Sequence, residues 1–250
     1  MSNIIKDGEF IGGNDLHSFL MIGQSNMAGR GEICDVEAID NFRCYMLRNG
    51  RFIRMREPIN PDRPIFEGQF RSGISLAASF ADEFANTYHK RVGLIPCADG
   101  GTSIKSWQKG SILYDHAVFI TRLAMRSSKF SGFLWHQGES DALTEESVAE
   151  YKGKLVKFIN DIRADLNAAE LPFIMGELSH SVSREWARAE LIEEINSIIY
   201  EVADELTNCA VASSDGLSMK ADGIHFSAPA LRVLGRRYFN VYKKIEADVK

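Results

Sequence analysis

Residues 19–31 have the sequence FLMIGQSNMAGRG, in which four apolar residues are followed at once by a glycine and a polar group. A short apolar run bounded by a turn residue is typical of a buried strand. The pattern recurs where GLIPCA (93–98) precedes DGGTSIKSW, GFLW (132–135) precedes HQGESDA, and VASS (211–214) precedes the segment DGIHF (222–226). Because helical patterns fall between most of these runs, the sequence predicts an α/β fold with a parallel sheet.

The predicted elements fill one domain. Five strands are predicted, at residues 18–23, 92–98, 132–136, 173–178 and 209–213. Five helices are predicted, at residues 75–89, 113–127, 145–167, 184–206 and 228–247. An inserted β-hairpin, residues 42–47 and 51–55 around Asn49-Gly50, interrupts the alternation. A chain of 250 residues fits one α/β domain better than two small ones, so we expect a single domain over residues 1–250.

Composition excludes several classes of protein. No apolar stretch approaches the roughly 18 residues of a membrane-spanning helix, so no membrane partner is expected. The formal net charge is 29 − 34 = −5, which argues against a nucleic-acid partner. The first 15 residues lack the apolar core of a secretion signal, so we expect a cytoplasmic protein. The four cysteines lie far apart without a CxxC pair, which predicts reduced thiols and no metal site.

Polar clusters follow the predicted strands, and the carboxyl ends of parallel strands meet at one edge of the sheet. Ser25 follows the first strand. A serine hydroxyl needs a base to become a nucleophile, and histidine suits that role because its pKa lies near neutrality. His225 is the best candidate, since Asp222 lies three residues earlier with Gly223 between them and can orient the imidazole. Alternatively, Ser25 is an ordinary helix cap and His225 a structural histidine, but the combination favours catalysis.

An acyl-transfer site also needs donors for the oxyanion of the tetrahedral intermediate. Three are predicted: the backbone N–H of Ser25, a backbone N–H of the Gly100-Gly101 turn, with Gly101 preferred, and the side-chain amide of Gln137. The alternative is that the two glycines form only a tight turn and that Gln137 satisfies buried backbone groups.

Four segments together, GQSNM, GGTSI, WHQGESD and DGIHF, resemble the SGNH (GDSL-like) hydrolase superfamily, and within it the sialate O-acetylesterase-like group that includes carbohydrate esterase family 6. The resemblance runs from about Phe19 to the C-terminus. It implies a three-layer α/β/α sandwich with a five-stranded parallel sheet of flavodoxin-like order. It also implies a Ser25, His225 and Asp222 triad that deacetylates carbohydrate esters without a cofactor. Many members of the superfamily have GDS and GxND where this chain has GQSN and WHQGESD, and both departures match the acetylesterase branch.

Other residues have two interpretations each. Gln24, Asn26, Gly100 and Glu139 are predicted to support the catalytic groups, and Asp141 either does the same or belongs to a solvated loop. Trp107 either stacks on a sugar ring or anchors its loop on apolar neighbours. His180 is placed near the same edge of the sheet, and His136 is expected to be structural. The remaining set, Arg48, Arg51, Arg54 and Arg56 of the hairpin, either recognises an acidic sugar or forms a solvated face.

The function predicted is that of a serine esterase that removes O-acetyl groups from acetylated xylo-oligosaccharides or sialic acids through an acyl-enzyme. The alternatives are a non-catalytic sugar-binding protein on the same fold and a short-chain lipase or thioesterase. A nucleotide-binding domain ranks last, because neither GxGxxG nor GxxxxGK[ST] occurs. The sequence decides neither the sugar nor the oligomeric state.

Overall fold

Seven strands form one sheet in the part of the chain that the computed structural model describes, residues 15–61, 71–183 and 185–248. They are β1 (Leu16–Gly23), β2 (Cys44–Arg48), β3 (Arg51–Arg54), β4 (Arg91–Pro96), β5 (Lys129–His136), β6 (Phe173–Gly176) and β7 (Cys209–Ala212). Their spatial order is β3-β2-β4-β1-β5-β6-β7, and every neighbouring pair is parallel except β2 with β3.

Helices cover both faces of this sheet. They are α1 (Ser25–Ala28), α2 (Leu76–Tyr88), α3 (Ile112–Met125), α4 (Glu145–Asp165), α5 (Ala189–Glu205) and α6 (Ala228–Asp248). Buried side chains of α3, α4 and α5 share one apolar cluster with the sheet, and those of α2 and α6 share another. The predicted three-layer α/β/α fold is confirmed.

The central strand β1 shows why the sheet needs two layers of helices. Phe19 and Met21 lie in the cluster with α2 and α6, whereas Leu20 and Ile22 lie in the cluster with α3 to α5. Successive side chains of a strand point to opposite faces, so a strand that is apolar throughout is buried on both. All four side chains are fully buried.

The five predicted parallel strands are confirmed and lie side by side as β4-β1-β5-β6-β7, the flavodoxin-like order. The strand count of five is wrong, because the predicted hairpin joins the same sheet. Its first strand pairs in parallel with β4, placing Cys44 opposite Val92, and its second forms the sheet edge. The hairpin joins because its inward side chains, such as Leu47 and Phe52, are apolar and become buried.

The predicted helix at residues 184–206 is shorter than expected. Helix α5 begins at Ala189, and the preceding backbone turns at Ser183, whose carbonyl accepts hydrogen bonds from the N–H groups of Trp186 (2.9 Å) and Ala187 (3.3 Å). Arg184 lies outside the described residues. The segment between β6 and α5 is therefore a loop at the carboxyl edge of the sheet.

Candidate active site

A cavity of about 260 Å³ lies at the carboxyl edge of the sheet. Its wall contains one residue or more after each of five strands: Ser25 after β1, Gly100 after β4, Glu139 after β5, Trp186 after β6 and His225 after β7. The cavity is thus where ligand sites of open parallel sheets occur, and it brings together segments up to 200 residues apart in the chain.

Ser25 enters this cavity because the chain turns sharply at the end of β1. Gly23 has φ +125°, and a Cβ there would lie 2.1 Å from the carbonyl oxygen of His136, so only glycine lets β1 run this close to the end of β5. The N–H of Gln24 donates to the same oxygen (2.9 Å). Ser25 then begins α1 with its side chain in the cavity wall and only 6% of its surface exposed.

The structure joins His225 to Asp222 directly. The Nδ1 atom of His225 lies 2.9 Å from Oδ2 of Asp222, while Oδ1 accepts the backbone N–H groups of Ile224 (3.1 Å) and His225 (3.0 Å). An ionised carboxylate only accepts hydrogen bonds, so Nδ1 carries the proton and Nε2 is left as an acceptor. The imidazole is thereby held in the tautomer that a general base requires.

Burial and charge set the pKa of both groups. Burial lowers the pKa of His225, and the hydrogen bond to Asp222 opposes this without cancelling it. Burial alone would raise the pKa of Asp222, but hydrogen bonds from the His225 side chain and from two backbone N–H groups outweigh it and leave the pKa lowered. At neutral pH the pair is therefore a neutral imidazole against a carboxylate.

Asn26 links the nucleophile segment to the loop that carries His225. Its Oδ1 accepts the N–H of Phe226 (3.1 Å), and its Nδ2 donates to the carbonyl of Ile224 (3.2 Å) and to Oε1 of Glu139 (2.6 Å). The two backbone contacts flank His225 on either side. Asn26 is the neighbour of Ser25, so the positions of base and hydroxyl depend on one side chain.

Lys220 makes a second link between these segments. Its Nζ donates to the carbonyl of Arg30 (2.8 Å) and to Oε1 of Glu32 (2.7 Å), and lies 4.0 Å from Oδ2 of Asp222. The positive charges of Arg30 and Lys220 both contribute to lowering the pKa of His225.

Gln137 does not reach the cavity, which corrects its prediction as an oxyanion donor. Its Nε2 lies within hydrogen-bond distance of Oδ2 of Asp141 (2.5 Å), the carbonyl of Thr102 (3.0 Å) and Oε1 of Gln24 (3.2 Å). The side chain is fully buried and forms no part of the cavity wall. An amide nitrogen has two protons, so none remains for a substrate. The alternative interpretation, a structural amide, fits the geometry.

Asp141 is buried rather than solvated. Its carboxylate also accepts the N–H of Ile104 (2.9 Å), which fastens the loop after β4 to the loop after β5. Gln24 contributes to the same network, because its Oε1 accepts the N–H groups of Gly138 and Ser140, both at 3.4 Å. Burial raises the pKa of Asp141. Asp141 thus supports the site from behind the cavity wall, while Gln24 both lines the cavity and belongs to this network.

Glu139 and His136 lie deeper and differ in role. Burial raises the pKa of Glu139 to about 7, although the hydrogen bond from Asn26 lowers it in part. Burial lowers the pKa of His136 to about 3, and its Nδ1 contacts the hydroxyl of Tyr238 at 3.1 Å. His136 is therefore neutral and structural, as expected from the sequence, whereas Glu139 also lines the cavity.

Both glycines of the predicted oxyanion turn line the cavity. A Cβ added to Gly100 would lie 3.7 Å from Cβ of Ser25 and 2.6 Å from a guanidinium nitrogen of Arg30, whereas one added to Gly101 would meet nothing within 4 Å. The turn therefore approaches Ser25 through Gly100. The preference for Gly101 as the donor stays a prediction.

Two predicted substrate-binding residues lie elsewhere. Trp107 is fully buried, donates from Nε1 to the hydroxyl of Thr102 (3.1 Å) and packs on Trp135, so it anchors its loop. His180 contacts Oε1 of Glu193 (2.7 Å), and that hydrogen bond raises its pKa. Neither side chain lines the cavity.

The hairpin arginines do not reach the cavity either. Arg48 donates to the carbonyl of Pro58 (3.0 Å), and Arg54 pairs with Asp40 (2.9 Å).

Trp186 is the large aromatic residue among the cavity residues that the sequence did not single out. It lines the cavity with 49% of its surface exposed, and its Nε1 donates to the carbonyl of Asp222 (2.8 Å). The sequence did place a tryptophan after the fourth predicted strand. The predicted helix at residues 184–206 included it, however, so the sequence did not show that it lies in a loop.

No helix within 15–61, 71–183 or 185–248 has the length and hydropathy to span a bilayer. In the same ranges no three His, Cys, Asp or Glu side chains are grouped so as to hold a metal ion.

Residues 15–244 match the family model described as carbohydrate esterase, sialic acid-specific acetylesterase. A probable carbohydrate esterase of Arabidopsis thaliana is 29% identical over 243 residues, 90% of this chain and 89% of its own length.

Solved structures agree in fold. A protein from Arabidopsis thaliana superposes with a TM-score of 0.79 at 26% identity, covering 91% of this chain and 98% of the other. NanS has a TM-score of 0.75 at 18% identity, with 93% and 98% covered. A carbohydrate acetylesterase from Xanthomonas citri has a TM-score of 0.68 at 16% identity, with 92% of this chain and 57% of the other covered.

Proposed function

The chain belongs to the family of carbohydrate esterases described as sialic acid-specific acetylesterases, and from this we propose that it hydrolyses O-acetyl esters of carbohydrates through an acyl-enzyme on Ser25. The single observation that carries the proposal is the shared cavity: Ser25 lines the same wall as His225, whose imidazole is fixed by Asp222. A hydroxyl, an imidazole and a carboxylate in this relation are the parts that acyl transfer requires.

In the proposed acylation step, Oγ of Ser25 attacks the acetyl carbonyl carbon while Nε2 of His225 takes the hydroxyl proton. The carbonyl oxygen becomes an oxyanion. When the C–O bond to the sugar breaks, His225 returns the proton to the departing sugar oxygen and the acetyl group remains on Ser25. Asp222 stays ionised throughout and stabilises the imidazolium. Water, deprotonated by His225, then releases acetate and restores the serine.

The oxyanion needs preorganised N–H donors that face the cavity. We propose the backbone N–H of Ser25 and a backbone N–H of the Gly100-Gly101 turn, with Gly101 still preferred. Arg30 lies against Gly100, so a positive charge stands beside this turn. Gln137 is left out of the proposed oxyanion hole, because its amide is already bound on the far side of the wall.

The proposal is tested by measuring acetate release from O-acetylated xylo-oligosaccharides and O-acetylated sialic acids. We expect Ser25→Ala to lower turnover by at least about 10³-fold, because the nucleophile is lost. Ser197→Ala removes a serine hydroxyl of α5 that lies outside the cavity wall and should leave turnover close to that of the wild type. Ordinary ester hydrolysis by Ser25→Ala would contradict the mechanism.

Two further measurements separate the alternatives. A serine-directed phosphonate should label the wild type and not Ser25→Ala, and failure to label a chain that still binds acetylated sugars would favour the non-catalytic sugar-binding protein. Faster hydrolysis of long-chain acyl esters than of acetates would favour a lipase or thioesterase. The preferred sugar from the acetate-release screen identifies the substrate class.

A further inference from the structure

We propose that Trp186 is the platform on which the sugar ring of the substrate stacks, so that the cavity selects esters of pyranoses over esters of small aliphatic alcohols. This inference rests on the proposed function, because it places the alcohol half of the ester that Ser25 would cleave. The hydrogen bonds of Trp186 go to the carbonyls of Asp222 and Ser183, and none goes to Ser25 or the oxyanion turn. Its role would therefore be selectivity rather than chemistry.

The exposure of Trp186 points to contact with a ligand. Trp186 is a large aromatic residue with 49% of its surface exposed, and it lines the cavity. Its one polar atom, Nε1, already donates to the carbonyl of Asp222 (2.8 Å). What the indole offers to a ligand is therefore carbon surface. A pyranose ring has a matching surface in its C–H groups, while its hydroxyls stay at the periphery.

The direction of the proposed reaction places the alcohol half of the ester near Trp186. His225 must return a proton to the departing sugar oxygen, so that oxygen has to come within hydrogen-bond reach of the imidazole. The alcohol half of the ester therefore lies on the His225 side of the cavity. Trp186 is fastened to this side, because its indole is hydrogen-bonded to Asp222, three residues before the base.

The loop that carries Trp186 is held in place by its neighbours. The loop of Trp186 is joined to the loop of His225 a second time, where the N–H of Ser183 donates to the carbonyl of Gly223 (2.7 Å). A Cβ on Gly223 would lie 2.6 Å from Cβ of Ser183, so the two loops are in close contact. A platform held in this way is preorganised and loses little conformational freedom when a sugar binds.

A second apolar side chain also lines the cavity. Leu143, which follows β5, lines the cavity with 57% of its surface exposed. Ser140 lies in the same wall, and its hydroxyl can meet a sugar hydroxyl. A few polar groups among exposed apolar surfaces is the composition expected of a sugar subsite.

The test compares two kinds of substrate in Trp186→Ala, Trp186→Phe and the wild type. One is ethyl acetate, and the other is the better of an O-acetylated methyl xyloside and an O-acetylated sialic acid. We expect Trp186→Ala to raise KM for the sugar by about tenfold and to change kcat/KM for ethyl acetate little. Trp186→Phe keeps an aromatic face without the N–H, so it should retain most of the sugar selectivity. Phe119→Ala removes an exposed aromatic residue outside this cavity and should change neither substrate.

A binding measurement gives an independent readout. The chain has three tryptophans, and Trp107 and Trp135 are fully buried, so acrylamide quenching of fluorescence should report on Trp186. In Ser25→Ala, which does not turn over, the acetylated sugar should protect against quenching. Ser25→Ala with Trp186→Phe lacks the exposed indole that reports on binding, so it should show no such protection.

The outcomes separate this inference from the proposed function. An equal loss on ethyl acetate and on the sugar in Trp186→Ala, or no loss on either, overturns the stacking role while Ser25-dependent sugar turnover leaves the proposed function intact. A wild type that hydrolyses ethyl acetate but neither sugar overturns both. Selective loss on the sugar, together with protection from quenching, establishes the platform.

Discussion

The two halves of the proposed site are built differently. The nucleophile half, which is the loops after β1, β4 and β5, rests on polar side chains that are almost fully buried and hydrogen-bonded to one another: Gln24, Asn26, Gln137, Glu139 and Asp141. The base half, which is the loops after β6 and β7, is more open, and its key side chains Trp186 and Asp222 are partly exposed.

The side chains of the two halves are therefore held in position in different ways. Buried polar groups are costly to leave unpaired, so the nucleophile half has one low-energy arrangement, set by the fold. The base half is ordered locally, because the carboxylate of Asp222 accepts hydrogen bonds from the His225 imidazole and from two backbone N–H groups. Asn26 and Lys220 join the halves. Loss of the Asp222 carboxylate in the base half should therefore affect chemistry most, loss of Asn26 at the joint should affect both chemistry and stability, and changes in the buried half should affect stability.

The largest effect is expected from Asp222→Asn in the base half. Oδ1 of Asp222 accepts two backbone N–H groups, so the amide oxygen of the asparagine must stay there and its NH₂ must face Nδ1 of His225. That arrangement stabilises the wrong imidazole tautomer, and kcat for an acetate ester at pH 7 should fall by about 10³–10⁴-fold.

Asp215→Asn is the matched control, since it changes an exposed carboxylate that also follows β7. It should leave kcat close to the wild-type value. A decrease of kcat in Asp222→Asn no greater than in this control would show that Asp222 does not orient the base.

The comparison also shows what the sequence could and could not provide. The parallel sheet followed from alternating apolar runs and helices, and its strand order from the family resemblance. Asp222 and His225 were found because their contact is local, three residues apart. Gln137 was misassigned because its partners, Gln24 and Thr102, lie 113 and 35 residues away, and only the packed fold shows that its amide is used up. Trp186 was missed because an exposed loop tryptophan and a buried helical one look alike in a sequence.

A second expected effect concerns the joint. Asn26→Ala removes both contacts that flank His225 and the donor to Glu139. The loop of His225 then loses its fixed position relative to Ser25. We expect kcat for ethyl acetate to fall by about 10–100-fold, as for a misplaced catalytic group, with KM less affected. Stability should also fall by about 1–3 kcal/mol, because polar groups are left unpaired.

Asn196→Ala provides the control, because that buried asparagine also bridges a backbone N–H and a carbonyl, both of Leu178. It should lower the free energy of unfolding without a comparable decrease in kcat. Equal decreases of kcat in the two variants would mean that Asn26 acts only through general stability.

In the buried half, Glu139→Gln should change how stability depends on pH. The pKa of Glu139 is raised to about 7 in the folded chain from an unfolded value near 4.3, so its stabilising contribution is complete below about pH 4.3 and is lost as the pH rises through 7. Glutamine imitates the protonated acid at every pH. Between pH 5 and 8, urea unfolding should show the variant gaining up to roughly 3 kcal/mol relative to the wild type. Glu190→Gln, at an exposed position, should run parallel to the wild type, and a Glu139→Gln curve that does the same would contradict the raised pKa.

The smallest effect should come from Lys220→Met. This change removes a positive charge near His225 and leaves the hydrogen bond between His225 and Asp222 in place. Lys220 contributes to lowering the pKa of His225, so without it the protonated imidazole is less disfavoured and the pKa rises. Since only neutral His225 can act as a base, the acid limb of kcat/KM against pH should move to higher pH, while the rate well above that midpoint changes little. Lys152→Met removes a lysine that pairs with Glu201 away from the cavity, and its profile should overlay that of the wild type. A shift of the Lys220→Met limb to lower pH would mean that this lysine acts on the base by holding the loop of Asp222 rather than by its charge, since a loosened carboxylate supports the imidazolium less.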